Sequence, residues 1–325
     1  VGVGIDELQT KDGKLFFAKQ EKGQPTGALI PEIIQTALDK LPIPKRMRWG
    51  DLDAQFVRPV RWVVLLFGDE VIDAEILSVK SGRESRGHRF HHPDTIYIPK
   101  PSEYELLLES EGRVIADFER RRETVRARIE EVAAKSGGVA VIDEALLDEV
   151  NAMVEWPVPV LGKFEERFLD VPQEALISTM KANQKYFHLV DRQGKLLPYF
   201  ITISNVDSKD MDKVREGNER VIRPRFADAE FFWKQDRKHK LEDHIESLKS
   251  VVFQKELGSL YDKSQRVSEL AGNIAKQLGS DKQQAQRAAL LSRCDLMSEM
   301  VYEFPELQGI MGRYYAAHDK EPGDI

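Results

Sequence analysis

The period of the hydrophobic pattern changes along this chain, and that change limits the fold more than any other feature. Before about residue 245, apolar runs of strand length alternate with helical stretches. Two hairpins stand out. Residues 60–67 and 71–79 flank Gly68-Asp69-Glu70, and residues 185–190 and 195–205 flank Asp191-Arg192-Gln193-Gly194. The unbroken run Val63-Val64-Leu65-Leu66-Phe67 predicts burial on both faces. Beyond residue 245 strand signals stop, and helices are expected over 245–260, 261–278, 281–302 and 305–317. The predicted fold class is α+β, with a mixed α/β domain carrying antiparallel hairpins over 1–245 and an all-α region over 246–325.

Smaller elements fit this frame. Asp12-Gly13 is a turn before a short strand over 14–19, and a helix over 26–41 accepts Pro31 in its first turn. Helices are also expected over 101–109, 114–135, 143–154 (with Asp143 as N-cap) and 172–183, and a strand over 158–162.

Composition narrows the function classes. The chain has 325 residues, 41% of them apolar and 32% charged, and a net charge of −7, so no whole-protein positive field gathers nucleic acid. RNA would need a local basic patch. The single cysteine, Cys294, excludes an intramolecular disulfide and a cysteine-built zinc site, and suits a reduced, cytoplasmic setting. No apolar run approaches the roughly 20 residues of a membrane span, so no membrane partner is expected. Val1-Gly2-Val3-Gly4 lacks the helix that a phosphate-binding glycine loop requires, and no Gly-x-Ser-x-Gly elbow occurs.

Three places hold candidate binding residues. Residues 80–92 are polar and rich in Gly, Arg and His, a loop by composition. They form the densest basic patch, with Lys80, Arg83, Arg86 and Arg89 beside His88 and Phe90. Such a loop is either solvated and packed on Phe90 or a contact for RNA backbone. His88, His91 and His92 could in principle take a metal, but His91 and His92 are neighbours that point differently, and no metal is expected. Lys181 and Lys185 stand where a helix meets a strand. Arg223 and Arg225 flank Pro224 in a stretch whose aromatic face (Phe226, Phe231, Phe232, Trp233) repeats at helical spacing. Pro224 pushes Arg223 toward extended geometry and predicts a break or kink there. The two arginines can hold phosphate oxygens, or be locked in ion pairs with Glu219 or Asp228.

The motif Glu216-Gly217-Asn218, then Val221-Ile222-Arg223-Pro224-Arg225, then Asp228-Ala229-Glu230-Phe231-Phe232, resembles the beta subunit of the heterotetrameric bacterial glycyl-tRNA synthetase. Leu41-Pro42-Ile43-Pro44, Arg86-Gly87-His88-Arg89-Phe90, Val154-Glu155-Trp156-Pro157, Met180-Lys181-Ala182-Asn183-Gln184-Lys185-Tyr186-Phe187 and Phe304-Pro305-Glu306-Leu307-Gln308-Gly309 agree in order. The resemblance covers nearly the whole chain, and is to a chain roughly twice this size, so both ends are expected to be trimmed. It implies a non-catalytic, tRNA-binding subunit that supports ATP-dependent charging of tRNA-Gly in an alpha2beta2 tetramer. ATP and magnesium are then used on the alpha subunit, and no cofactor is expected on this chain.

In keeping with that division, neither class of synthetase signature is present. The tail over 246–325 resembles an HD-type fold. Cys294-Asp295 stands where active phosphohydrolases carry His-Asp, which implies a scaffold without hydrolysis. The alternative function is an autonomous hydrolase, either an HD-type phosphohydrolase or a tRNA-editing deacylase.

Overall fold

Turn-forming pairs interrupt the apolar runs of the first hundred residues every few positions, and the strands there are correspondingly short. The computed structural model describes residues 8–18 and 22–325, and the chain divides into two units, Val1–Val114 and Ile115–Ile325. The glycine pair at Gly2 and Gly4 lies outside the described residues.

In the first unit, β1 (Gln9–Lys11) and β2 (Lys14–Phe16) pair about Asp12-Gly13, both at positive φ. Helix α1 (Thr26–Lys40) carries Pro31 in its interior rather than its first turn, and buries no residue completely. β3 (Met47–Arg48) pairs with β4 (Gln55–Phe56).

The hairpin expected over 60–79 is instead five short strands: β5 (Val63–Val64), β6 (Leu66–Phe67), β7 (Glu70–Val71), β8 (Glu75–Ile76) and β9 (Val79–Gly82). β6 and β7 close over Gly68-Asp69, and β8 and β9 close over Leu77-Ser78, both of the latter at positive φ. Positive φ at both centres is the geometry of the tightest hairpins, here without the usual glycine or asparagine. β5 then pairs with β9 in parallel. Val63 to Leu66 are only half-buried and Phe67 is exposed, so burial on both faces is not realised.

The segment read as a loop is partly strand. Lys80 to Gly82 complete β9, and β10 (Glu84–Arg86) pairs antiparallel with β11 (Thr95–Tyr97). A partner strand supplies the ladder that a polar, glycine-rich composition does not advertise. Helix α2 (Tyr104–Ser110) closes the unit, whose buried apolar residues include Ile76, Ile96, Ile98 and Leu108.

The second unit begins with α3 (Phe118–Lys135). Asp117 caps it by accepting from the Arg120 amide at 2.6 Å, so the helix starts at 118 rather than 114. β12 (Val139–Ala140) leads to α4 (Glu144–Met153), capped by Asp143 as its sequence predicts. β13 (Val158–Lys163) and α5 (Gln173–Ser178) follow, and α5 runs into a wider π-turn over 179–184 that Lys185 ends in left-handed geometry. β14 (Phe187–Val190) and β15 (Leu196–Ser204) form the second predicted hairpin, with Asp191 accepting from the amides of Gln193 and Lys195. The sheet runs β12-β14-β15-β13, antiparallel throughout.

Helix α6 (Met211–Asp236) runs unbroken through Pro224, which corrects the expected break. An interior proline costs a helix about 3 kcal/mol. Ile222, Phe226 and Trp233 are all buried on one face, and each contributes about 1.5–3 kcal/mol. Burial therefore outweighs the lost hydrogen bond, and Arg223 is helical rather than extended.

Beyond α6, single turns over 241–244 and 246–250 precede a small hairpin, β16 (Val252–Gln254) and β17 (Gly258–Ser259), where a helix was expected. α7 (Leu260–Gln277) and α8 (Lys282–Leu291) pack together. The helix expected over 281–302 is interrupted, and resumes as α9 (Glu299–Glu303) with Ser298 as cap, before α10 (Ile310–His318). One apolar cluster joins Phe164, Phe168, Phe226 and Trp233 to Leu291, Met300, Leu307 and Tyr315. Residues on both sides of 245 thus share a core, and the division between units falls after Val114 instead.

Candidate nucleic-acid interface

Within the first unit, β10 ends on Arg86, and the chain turns at Gly87-His88. A Cβ on Gly87 would meet the Gly112 backbone at 2.7 Å, so glycine at 87 lets the two strands of chain touch. The His88 amide donates to Gly112 O at 2.6 Å and fixes the turn there. The His88 ring is buried, and its Nδ1 accepts from the amides of Phe90 and His91 at 3.2 and 3.3 Å. The His88 proton therefore sits on Nε2. His88 is a candidate contact for RNA in the sequence; its buried ring instead accepts from the Phe90 and His91 amides and holds the turn.

Arg86 and Arg89 line a cleft of about 730 Å³ together with Val60, Arg61, Trp62, Val79, Gly87 and Pro93. Arg86 lies over the indole of Trp62 at 6.0 Å, and Arg89 over Phe90 at 6.0 Å. Among the described residues, no carboxylate lines the cleft, and Arg61, Arg86 and Arg89 have no ion-pair partner. In a chain of net charge −7 this is a local concentration of unneutralised positive charge.

Two members of the predicted patch stand apart. Arg83 donates to the carbonyls of Asp69 at 2.7 Å and Pro99 at 3.2 Å, and stacks over Tyr97. Its donors hold the fold. Lys80 is exposed on β9, opposite Glu75 in register, and does not line the cleft. Arg61 and Trp62 were missed, because they open a run that reads as the start of an apolar strand. The available signal was an arginine–tryptophan pair at the head of that run.

In the second unit the candidate cations are mostly occupied. Lys181 pairs with Asp143 at 2.6 Å and Lys185 with Glu149 at 2.9 Å. The Lys181 bond, then the Leu146 amide, holds the Asp143 carboxyl below its usual range. Arg223 pairs with Glu165 at 2.6 Å rather than with Glu219 or Asp228. Glu219 instead accepts from the Lys163 amide at 3.0 Å. Burial disfavours the charged Glu165, but its backbone amide and Arg223 outweigh that and leave its pKa lowered. Arg225 is exposed and has no partner among the described residues.

The tail shows what Asp295 does. Its Oδ2 accepts from the amides of Gly309 at 2.5 Å and Gly312 at 3.0 Å, at the start of α10. Cys294 beside it is buried, and burial pushes its thiol up to about 12. Among the described residues, no group of three or more His, Cys, Asp or Glu is arranged to hold a metal ion. No described helix is long and apolar enough to cross a membrane.

The motif series places this chain in the class of aminoacyl-tRNA synthetase subunits. The chain belongs to the glycyl-tRNA synthetase beta subunit family, whose description matches residues 1–325. It is 54% identical over 330 residues to a glycine–tRNA ligase beta subunit of Marinobacter nauticus, covering all of this chain and 48% of that relative. It is 55% identical to the same subunit of Pseudomonas fluorescens and 56% to that of Azotobacter vinelandii, each over 324 residues, all of this chain and 47% of the relative. The chain thus spans about half the length of the curated relatives it matches.

Proposed function

We propose that this chain is a non-catalytic, tRNA-binding part of glycine–tRNA ligase. It supports ATP-dependent attachment of glycine to tRNA-Gly by a partner alpha subunit, in an alpha2beta2 assembly in the cytoplasm. The observation that carries the RNA role is the cleft lined by Arg61, Arg86 and Arg89 with no carboxylate among the described residues. Three unpaired guanidinium groups at fixed positions suit phosphate oxygens, which they can meet bidentately. The names of the relatives, all beta subunits, support an alpha partner. ATP and magnesium then act on that partner.

The region over 246–325 is read as an HD-like scaffold without hydrolysis. Asp295 caps α10, which supports that reading and gives none to an autonomous phosphohydrolase or deacylase. The test is filter binding of tRNA-Gly to the purified chain and to R61A/R86A/R89A. The triple variant is expected to bind at least tenfold more weakly at low salt. Equal binding by the two proteins would contradict the reading.

A further inference from the structure

Trp62 lines two clefts of the first unit. One is the arginine cleft. The other, of about 440 Å³, is lined by Trp62, Val64, Leu65, Leu66, Ile98, Pro101 and Tyr104, with no charged side chain among the described residues. Both volumes fall within the roughly 300–1,000 Å³ typical of ligand sites. The indole is 43% exposed, so its surface remains available. Ile98 is fully buried and gives one cleft a rigid floor.

A phosphate-binding cleft and an apolar cleft that share an aromatic residue match the two ends of one nucleotide. A base has a π-face for an indole and an apolar wall, and its phosphate has oxygens for guanidinium groups. A base paired within a duplex offers neither face, because its neighbours cover both.

We infer that the paired clefts at Trp62 form a site for a single unpaired nucleotide, its base against Trp62 in the apolar cleft and its phosphates on Arg61, Arg86 and Arg89. This rests on the RNA-binding role proposed above, and adds the requirement that the bound nucleotide be unstacked. The same chemistry is offered by an unpaired position in RNA and by a free mononucleotide. RNA is favoured, since three separate arginines exceed what one monophosphate fills.

The experiment is fluorescence anisotropy with a labelled single-stranded RNA and a blunt RNA duplex of the same sequence, at one low salt concentration. The proteins are the full chain, W62L, W62F and R61A/R86A/R89A. W62L is expected to weaken the single strand about tenfold and to change duplex binding less than twofold, with W62F restoring most of the loss. AMP as competitor is expected to displace the strand only at far higher concentration than the strand itself requires. If W62L weakens both RNAs equally, or neither, while the triple arginine variant weakens them, the nucleotide site is overturned and the RNA-binding role stands. If the triple variant changes neither RNA, both fall. AMP binding as tightly as the strand would overturn the assignment to RNA.

Discussion

The arginines of the cleft and the paired arginines of the second unit are the same side chain put to opposite uses. In the second unit Arg122 holds Glu144 and Asp148 at 2.5 Å, Arg167 holds Glu230 at 2.5 Å and Arg223 holds Glu165 at 2.6 Å. Arg287 holds Glu242 and Glu321 together. Each of these pairs joins residues far apart in the chain. In the first unit, Arg61, Arg86 and Arg89 face a cleft that has no carboxylate among its described lining residues, with Arg86 over Trp62 and Arg89 over Phe90. Basic residues are therefore evidence of binding only once their partners are known. A charge already matched within the fold has little left for a ligand, whereas an unmatched one retains its full electrostatic demand.

That contrast yields stability predictions for the second unit. The largest concerns Asp236, which is buried and accepts from the amides of Glu299 and Met300 at 2.9 and 3.0 Å and from the Tyr315 hydroxyl at 2.6 Å. Asp236→Ala leaves two buried donors and one part-buried donor unmatched and is expected to cost about 3 kcal/mol or more in urea unfolding. A loss below about 1 kcal/mol would mean that this network does not join α6 to α9 and α10 as described.

The next effect is a pH dependence. His188, on β14, has its pKa lowered to about 4 by burial and then by Lys181. As pH falls from about 6.5 toward 4, the unfolded chain takes the proton before the folded one does, so stability falls across that window. The loss at pH 4 is expected to be about 2 kcal/mol once partial exposure of the ring is allowed for. His188→Gln should remove that part of the slope. An unchanged slope in the variant would assign the acid sensitivity to other groups.

Smaller still is the effect of Arg223→Gln. Both members of its pair are exposed, at 54% and 40%, and such pairs contribute at most about 1 kcal/mol. The melting temperature should fall slightly and tRNA affinity should not change. A tenfold loss of tRNA binding would erase the distinction between matched and unmatched arginines. Replacing the three cleft arginines together should alter unfolding free energy least of all, by about 0.5 kcal/mol or less.

How much of this was legible in the sequence follows the range of the forces involved. The β14–β15 hairpin could be read because Asp191 and Gly194 specify their turn locally, and α4 because Asp143 caps it three residues from its partner amide. The unbroken α6 could not, because the packing that tolerates Pro224 comes from residues far along the chain. β10 was hidden for the same reason: its ladder is supplied by β11. Of the candidate site, Arg86 and Arg89 were read correctly as neighbours. Arg83 and His88 lie in the same segment but face the fold, and no local pattern separates them from the cleft residues. Arg61 and Trp62 reach the cleft from more than 20 residues upstream of Arg86, a distance that only tertiary structure closes.

The difference between the two sets of arginines is the central claim, and the salt dependence of tRNA binding measures it directly. The slope of log K against log salt should be taken for the chain, for R61A/R86A/R89A and for R167Q/R223Q. Removing one phosphate-binding cation reduces the steepness of that slope by roughly 0.7 to 0.9. The cleft variant is expected to show a slope shallower by about 2 to 3, and the second-unit variant an unchanged one. Equal slopes for the chain and the cleft variant, or a shallower slope confined to R167Q/R223Q, would contradict it.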